Sequence, residues 1–346
     1  MVLLRTEHAE GDPDDGGIAH QTVRWPIPCH TVLTFHDPPS FPCGVVSLLP
    51  GTLLNGCAGT YRVVRALDKG GMGEIFVGRD LAGGREVAIK LQTARMFETT
   101  GEYGDYGGDL SQEFNRMRDI LDVRGIPRVL DEGKVGRSGR RFLVMELVNG
   151  VTAAQWIEDN LPVPRAAAVS VIAQLCEILG RLHAKQYVHC DVTARNVMIQ
   201  CDGSVRLLDV GISVPVGEAQ PDPCGSPGYA PPEQHRGSEL TPQVDVFSLG
   251  ALLFQMLTGK LPYDGVEYPF DGTEQPFPGG LRAEIDKDLR ALGLSMVSLD
   301  PLERPRAADE LPEYLRRMLP APGTCALPNA TVPDPTAYYR HGLGEL

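Results

Sequence analysis

Near residue 148 the amino-acid pattern changes period, inside one continuous patterned region that runs from about 61 to 318. Before that point Tyr61–Leu67, Glu74–Gly78, Glu86–Leu91 and Phe142–Leu147 are short, rich in β-branched residues and separated by Gly-containing turns, so they read as strands. Leu110 to Leu121 interrupts them with helical spacing through Phe114, Met117, Ile120 and Leu121. After that point helices dominate. Pro162 and Pro164 open a segment whose Val171, Ile172, Leu175, Leu179 and Leu182 share one apolar face. Strands first and helices afterwards predict an α+β protein with two segregated lobes, the first β-rich and the second helical. No internal repeat or coiled-coil heptad competes with that reading.

The flanks differ in composition. Residues 1–58 mix Pro, Gly and Asp with short apolar patches and read as an irregular N-terminal extension, in which Glu10–Gly17 is unstructured by content. Trp25, Phe35 and Phe41 suggest that its later part docks on the main body. Residues 320–346 read as a Pro/Gly-rich C-terminal tail. The expected domain is therefore 59–319, with lobes of about 59–148 and 149–319. The chain holds 32 Lys and Arg against 45 Asp and Glu, a net charge of −13, which removes any overall electrostatic drive toward nucleic acid or an anionic membrane. No uninterrupted apolar run reaches the roughly 18 residues of a membrane span. The most apolar stretch, Val246–Leu257, carries Ser248, Gly250 and Gln255 and reads as a buried core helix. Met1–Asp12 offers only Val2, Leu3 and Leu4, too short for a signal-peptide core, so the expectation is a soluble cytoplasmic protein without a membrane span. Eight scattered cysteines are expected as free thiols, and Cys29, His30, His36 and Cys43 match no common zinc spacing.

Four short segments carry chemistry. Gly70, Gly71 and Gly73 lie between the first two strands and let a backbone approach a phosphate chain, although a glycine-rich hairpin turn alone has the same look. No Gly-Lys-Ser/Thr follows, so this is not a Walker A loop. Lys90 ends the apolar strand Val87-Ala-Ile-Lys90, where an ammonium group is costly unless paired; Glu113 is the partner on offer, and a snorkelling surface lysine is the bland alternative. In His189–Ile199, Asp191 is followed five residues later by Asn196, a carboxylate for a hydroxyl proton and an amide oxygen for a magnesium ion. Leu207-Leu-Asp-Val-Gly211 then brings Asp209 out of a short apolar strand as a second metal ligand. Either Asp segment in isolation is a plain turn former; both in this order, behind a glycine loop and a strand lysine, are not coincidence.

On these segments the chain resembles the eukaryotic-like (Hanks-type) bacterial serine/threonine protein kinases, over about residues 61–318. The resemblance implies a β-rich N-lobe and helical C-lobe with ATP in the cleft between them. It implies Lys90 on the α/β phosphates and paired with Glu113, Asp191 as catalytic base, and Asn196 and Asp209 as ligands of Mg2+ (or Mn2+). Gly70, Gly71 and Gly73 would cover the phosphates, Ile75 and Ala88 wall the adenine, and Met145 precede a hinge at Glu146–Val148. Gly225–Glu233 looks like the segment that closes the activation loop and receives a protein substrate, Asp245–Gly250 like the start of the central C-lobe helix, and Arg304 like the partner of Glu233.

The chain also departs from that family. Asp68 replaces the first glycine of the phosphate loop, and its carboxylate would repel phosphate unless it points outward. Cys190 stands where an arginine often holds a phosphorylated loop residue, and Ser213 is the sole hydroxyl between Ile212 and Cys224, so activity is expected not to depend on phosphorylating this loop. Thr193 replaces a lysine, and Arg195 takes its place at the γ-phosphate in the manner of tyrosine kinases, whereas Ser226 fits the serine/threonine pattern. Val210 replaces a phenylalanine and is still apolar enough to pack under the helix of Glu113. Glu98–Asp109 is a Gly/Tyr/acidic insert. The expected activity is transfer of the γ-phosphoryl group of ATP to Ser/Thr hydroxyls of proteins. The alternatives are a pseudokinase acting as a regulatory or scaffolding module and, third, a small-molecule kinase; the oligomeric state is open.

Overall fold

Short β-branched stretches build the first lobe. The structure, a computed structural model, describes residues 48–344 except 71–72, 93–109, 136–138, 221–223, 266–274, 278–279 and 281–284. Gly71, the insert Glu98–Asp109, the three aromatic residues of the extension and its Cys/His group lie outside the described residues. Strands β1 (Leu53–Asn55), β2 (Thr60–Gly70), β3 (Gly73–Asp80), β4 (Glu86–Leu91), β5 (Val129–Val135) and β6 (Arg140–Glu146) form an antiparallel sheet in the order β1-β2-β3-β4-β6-β5. The sequence reading has no counterpart to β1, which is three residues long, or to β5, where Asp131, Glu132 and Gly133 hide the apolar alternation. Tyr61, Val63, Phe76, Val87, Ile89, Phe142 and Val144 close over Leu48 and Leu54 on one side of the sheet. Leu143, pointing the other way, joins Leu110 and Met117 of helix α1 (Leu110–Asp119), which ends two residues before the periodicity does.

Asp131 ties the front of the chain to this sheet. Its buried carboxylate accepts from the backbone N–H groups of Cys57, Ala58 and Gly59 at 3.0–3.1 Å, from Glu132 N at 2.8 Å and from the Tyr61 hydroxyl at 3.0 Å. Burial and this carboxylate push the Tyr61 phenol well above its ordinary pKa. Gly56 is required beside it, because a Cβ there would sit 2.1 Å from Asp131 Oδ2. Residues 48–58 are therefore continuous with the lobe rather than with the extension.

The second lobe packs around two helices. They are α3 (Arg165–Ala184), which follows α2 (Ala153–Asn160), and α4 (Gln243–Thr258), against which α5 (Lys287–Met296) lies. Pro164 stands at the start of α3, and Arg181 and His183 occupy its last turn, where cations suit the helix dipole. By length and composition α3 could cross a membrane, a candidate missed by looking only for uninterrupted apolar runs; 83% of its most apolar window is buried inside the protein, which makes it the core helix of the lobe. Cys57, Cys176, Cys190, Cys224 and Cys325 are free thiols as expected. Cys201 is not: it sits in an exposed turn, outside the packed core, and is disulfide-bonded.

The last residues dock on this lobe instead of trailing from it. Trp156, fully buried, donates its indole N–H to Pro333 O at 3.0 Å. Gln174 donates to Pro335 O and Gly203 O. Helix α6 (Thr336–Arg340) places the hydroxyls of Tyr338 and Tyr339 on the two oxygens of Glu177 at 3.3 and 3.1 Å.

Two stability measurements check these attachments. Asp131→Ala strands several part-buried N–H donors and the buried Tyr61 hydroxyl and should cost on the order of 3 kcal/mol in urea unfolding, with Asp131→Asn intermediate. Ending the chain at residue 319 exposes Trp156 and should cost roughly 3 kcal/mol or more, read as a lower unfolding midpoint with a red-shifted tryptophan emission.

Candidate active site

Three separate elements bring charge to one point. Strand β4 is central, and its residues 87–91 are all buried, so Lys90 cannot reach bulk water. Its Nζ donates to both oxygens of Glu113 at 2.9 and 2.8 Å and to Asp209 Oδ1 at 2.9 Å. Lys90 is 3% exposed and Glu113 5%. Burial opposes the ammonium, but the two carboxylates outweigh it and hold Lys90 above its ordinary pKa. Burial likewise opposes the Asp209 carboxylate, and Lys90 with the Gly211 N–H at 3.0 Å overcomes it, so Asp209 is held below its ordinary range. Burial pushes Glu113 up against the pull of Lys90. The helical phase that singled out Glu113 is thus matched by the geometry.

Asp209 leaves the strand Val205–Leu207 with a left-handed backbone, φ +59°, and Val210 turns into the apolar cluster with Leu110 and Met117 of α1. The smaller valine fills its place under the helix.

Asp191 is held by an anchor in α4. The fully buried Asp245 accepts from His189 N at 2.8 Å and Cys190 N at 2.9 Å, and its Oδ2 meets His183 Nε2 at 2.9 Å. Burial alone would raise Asp245, but these partners hold it below the ordinary carboxylate range. His189 Nδ1 accepts from Asp191 N, which leaves Nε2–H to donate to Leu208 O at 3.1 Å and couples the two Asp-bearing loops. Cys190 between them has φ +68°, a strained value for a non-glycine residue that the two Asp245 bonds sustain. The Asp191 carboxylate is then gripped at both ends, by Ser226 Oγ at 2.7 Å on Oδ1 and by Asn196 Nδ2 at 2.6 Å on Oδ2. Ser226 is in turn fixed by the loop that ends at Glu233. Arg304 donates through Nη2 to Glu233 Oε2 at 3.1 Å and lies over the Phe247 ring.

A cleft of about 200 Å3 opens onto these groups. Ile75, Ala88, Met145, Val148, Met198 and Leu208 line its apolar part, and Lys90, Arg195, Asn196 and Asp209 its polar end. Asp68 is exposed and stands at the rim of this cleft. Gly70 and Gly73 are the last pair of the β2–β3 hairpin, two strands of which supply Asp68 and Ile75 to the cleft. A Cβ at Gly73 would crowd the strand beside it, 3.0 Å from Leu91 O and 3.3 Å from Lys90 Cγ. Glu146 lines the cleft too, but its carboxylate is taken by Arg206 at 3.0 and 3.2 Å, so only its backbone can face a ligand. Sequence reasoning did not find Arg206, because an arginine on a short strand carries no signature of its partner. Thr193 is buried and accepts from Asn196 N, shaping the loop in place of a lysine.

The donor set fits a nucleotide with a hard divalent cation. Asn196 spends its N–H groups on Asp191, and its Oδ1 is the acceptor left for a cation. Asp209 commits Oδ1 and keeps Oδ2. Oxygen donors select Mg2+ or Mn2+ over softer metals. Among the described residues no cluster of three His, Cys, Asp or Glu side chains could hold a metal ion.

Comparison with known proteins agrees with this geometry. The protein kinase domain model matches residues 61–312. A probable serine/threonine-protein kinase PknB of Lactococcus lactis is 31% identical over 215 residues, 60% of this chain and 33% of that protein. Serine/threonine-protein kinase PrkC of Bacillus subtilis is 27% identical over 269 residues, 73% of this chain and 40% of that protein. Serine/threonine-protein kinase PknB of Mycobacterium leprae is 28% identical over 313 residues, 82% of this chain and 50% of that protein. The chain thus spans between a third and a half of the length of these relatives. With Lys90, Glu113, Asn196 and Asp209 converging on one cleft and the family model covering most of its length, the chain belongs to the protein kinase domain family, of the Hanks-type bacterial serine/threonine kind.

Proposed function

We propose that the protein transfers the γ-phosphoryl group of ATP to Ser or Thr hydroxyls of protein substrates. The observation that carries this reading is the Asp191 carboxylate, held between Ser226 and Asn196, the latter lining the cleft that contains Lys90 and Asp209. When bound, Mg2+-ATP supplies the transferable phosphoryl group and neutralises charge on it. The chain does the positioning. The apolar walls at Ile75, Ala88 and Met145 take a flat base, and the backbone of Glu146–Val148 faces its edge. Lys90, fixed by Glu113, presents a charge to the phosphates, while Asn196 and Asp209 offer oxygen to the cation. Asp191 orients the attacking hydroxyl and accepts its proton. Arg195, exposed beside Asn196, stands where a γ-phosphate would need a counter-charge. Ser226 on Asp191 favours a small aliphatic hydroxyl as acceptor.

Two measurements test this. With radiolabelled ATP and a generic protein acceptor, transfer should be abolished by Asp191→Ala, and Asp209→Asn should cost on the order of 4 kcal/mol in the barrier, about three decades in rate. Near-normal transfer by Asp209→Asn, or label incorporation indifferent to Asp191, would refute the assignment and leave a scaffolding role. Phosphoamino-acid analysis of the product should yield phosphoserine or phosphothreonine; phosphotyrosine alone overturns the acceptor preference.

A further inference from the structure

The segment after Asp209 is held without any phosphate. Cys190 lies in an apolar cluster with Val188, Ile212, Val214, Leu240 and Val244, a place with no room for an anion. Ser213, the sole hydroxyl residue of the loop, is 1% exposed and spends its Oγ on His189 O at 3.1 Å. Gln220 donates to Ile212 O at 2.9 Å, and the single Nε2 of Gln234 donates to both Cys190 O and Cys224 O at 2.9 and 2.7 Å. These are bonds from neutral side chains to backbone carbonyls.

One charged group joins them. Arg116 lies on α1 one turn beyond Glu113, and its Nη1 donates to the Gly211 carbonyl at 2.5 Å. Its Nη2 donates to Gln112 Oε1 at 3.1 Å, which holds the guanidinium side-on to the helix. The helix needs such a tether. It has ten residues, and its apolar contribution to the core is Leu110, Met117 and the partly buried Phe114. At its far end the Tyr187 hydroxyl donates to Asp119 Oδ2 at 2.8 Å.

We propose that Arg116 is a positioning residue: by binding the Gly211 carbonyl it fastens α1 to the start of the activation segment, so that Glu113 reaches Lys90 with no phosphorylated loop residue. This rests on the kinase reading above. A guanidinium on a carbonyl is a charge-assisted bond, stronger than the neutral contacts around it, and it joins the helix of Glu113 to the residue two beyond Asp209. The same arm thereby sets both carboxylates that flank Lys90. Regulation by a loop phosphate becomes redundant, since its mechanical task is already done.

The test uses the full chain and five forms: wild type, Arg116→Met, Arg116→Lys, Glu113→Gln and the Arg116→Met/Glu113→Gln double variant. Arg116→Met keeps the stem and should lower kcat/KM by about tenfold, with Arg116→Lys recovering part of the loss. Because Arg116 acts through Glu113, adding Arg116→Met to Glu113→Gln should cost little more. Phosphatase-treated wild type should keep its rate. Fully multiplicative losses in the double variant, wild-type rates for Arg116→Met, or a rate that falls with dephosphorylation of Ser213 would each overturn the proposal. Hydrogen exchange is read in parallel: amides of residues 110–119 should exchange faster in Arg116→Met, and unchanged exchange also overturns it. If wild type shows no Asp191-dependent transfer, the kinase reading fails, and the exchange comparison still decides whether Arg116 tethers the helix.

Discussion

A buried ammonium group between two carboxylates organises this molecule. Lys90 has no route to water, so its charge must be met by Glu113 and Asp209 or cost several kcal/mol. Glu113 comes from a helix of the first lobe and Asp209 from a turn of the second. One cation thus joins two lobes, a sheet closed over Phe76 and Phe142 and a helical body around α3 and α4 whose core also takes in Leu110, Met117 and Leu143 of the first lobe. A shift of either lobe by the length of one hydrogen bond would leave a buried charge unmatched.

Rigid and strained parts are divided between the two halves of the site. Asp191 and Asp209 follow loops in which Cys190 and Asp209 take left-handed backbone angles. Such conformations persist only where surroundings over-determine them. Asp245, fully buried in α4, supplies that constraint by taking two consecutive loop N–H groups, and His189 passes it on to Leu208. The Asp191 and Asp209 carboxylates therefore sit at strained turns that are pinned through the buried helices α3 and α4.

The chemistry of the cleft was legible where a residue type has few affordable environments. A lysine ending an apolar strand demands a partner, and helical phase pointed to Glu113. Asp191, Asn196 and Asp209 were legible as an ordered set, and Arg304 with Glu233 as a distant pair. What stayed hidden uses the backbone as its partner. Asp131 holds the N–H groups of residues 57–59, over seventy positions away, and nothing in Val129–Val135 announces this. Arg116 and Gln234 bind carbonyls, which every residue possesses, so no spacing encodes them. The last segment misled through its prolines: they rule out long helices, but Pro333 and Pro335 still offer the carbonyls that receive Trp156 and Gln174. Membrane-like hydrophobicity in α3 likewise has two meanings, and only packing separates them.

The pocket around Cys190 has closed behind the substitution. A compact thiol, 1% exposed, is walled by five aliphatic side chains, on a backbone with left-handed φ. Putting an arginine at this one position would force a long, permanently charged side chain into a pocket walled by hydrocarbon. The departure from the common kinase pattern is in that sense locked in by its neighbours, and undoing it would require rebuilding the wall as well as the residue.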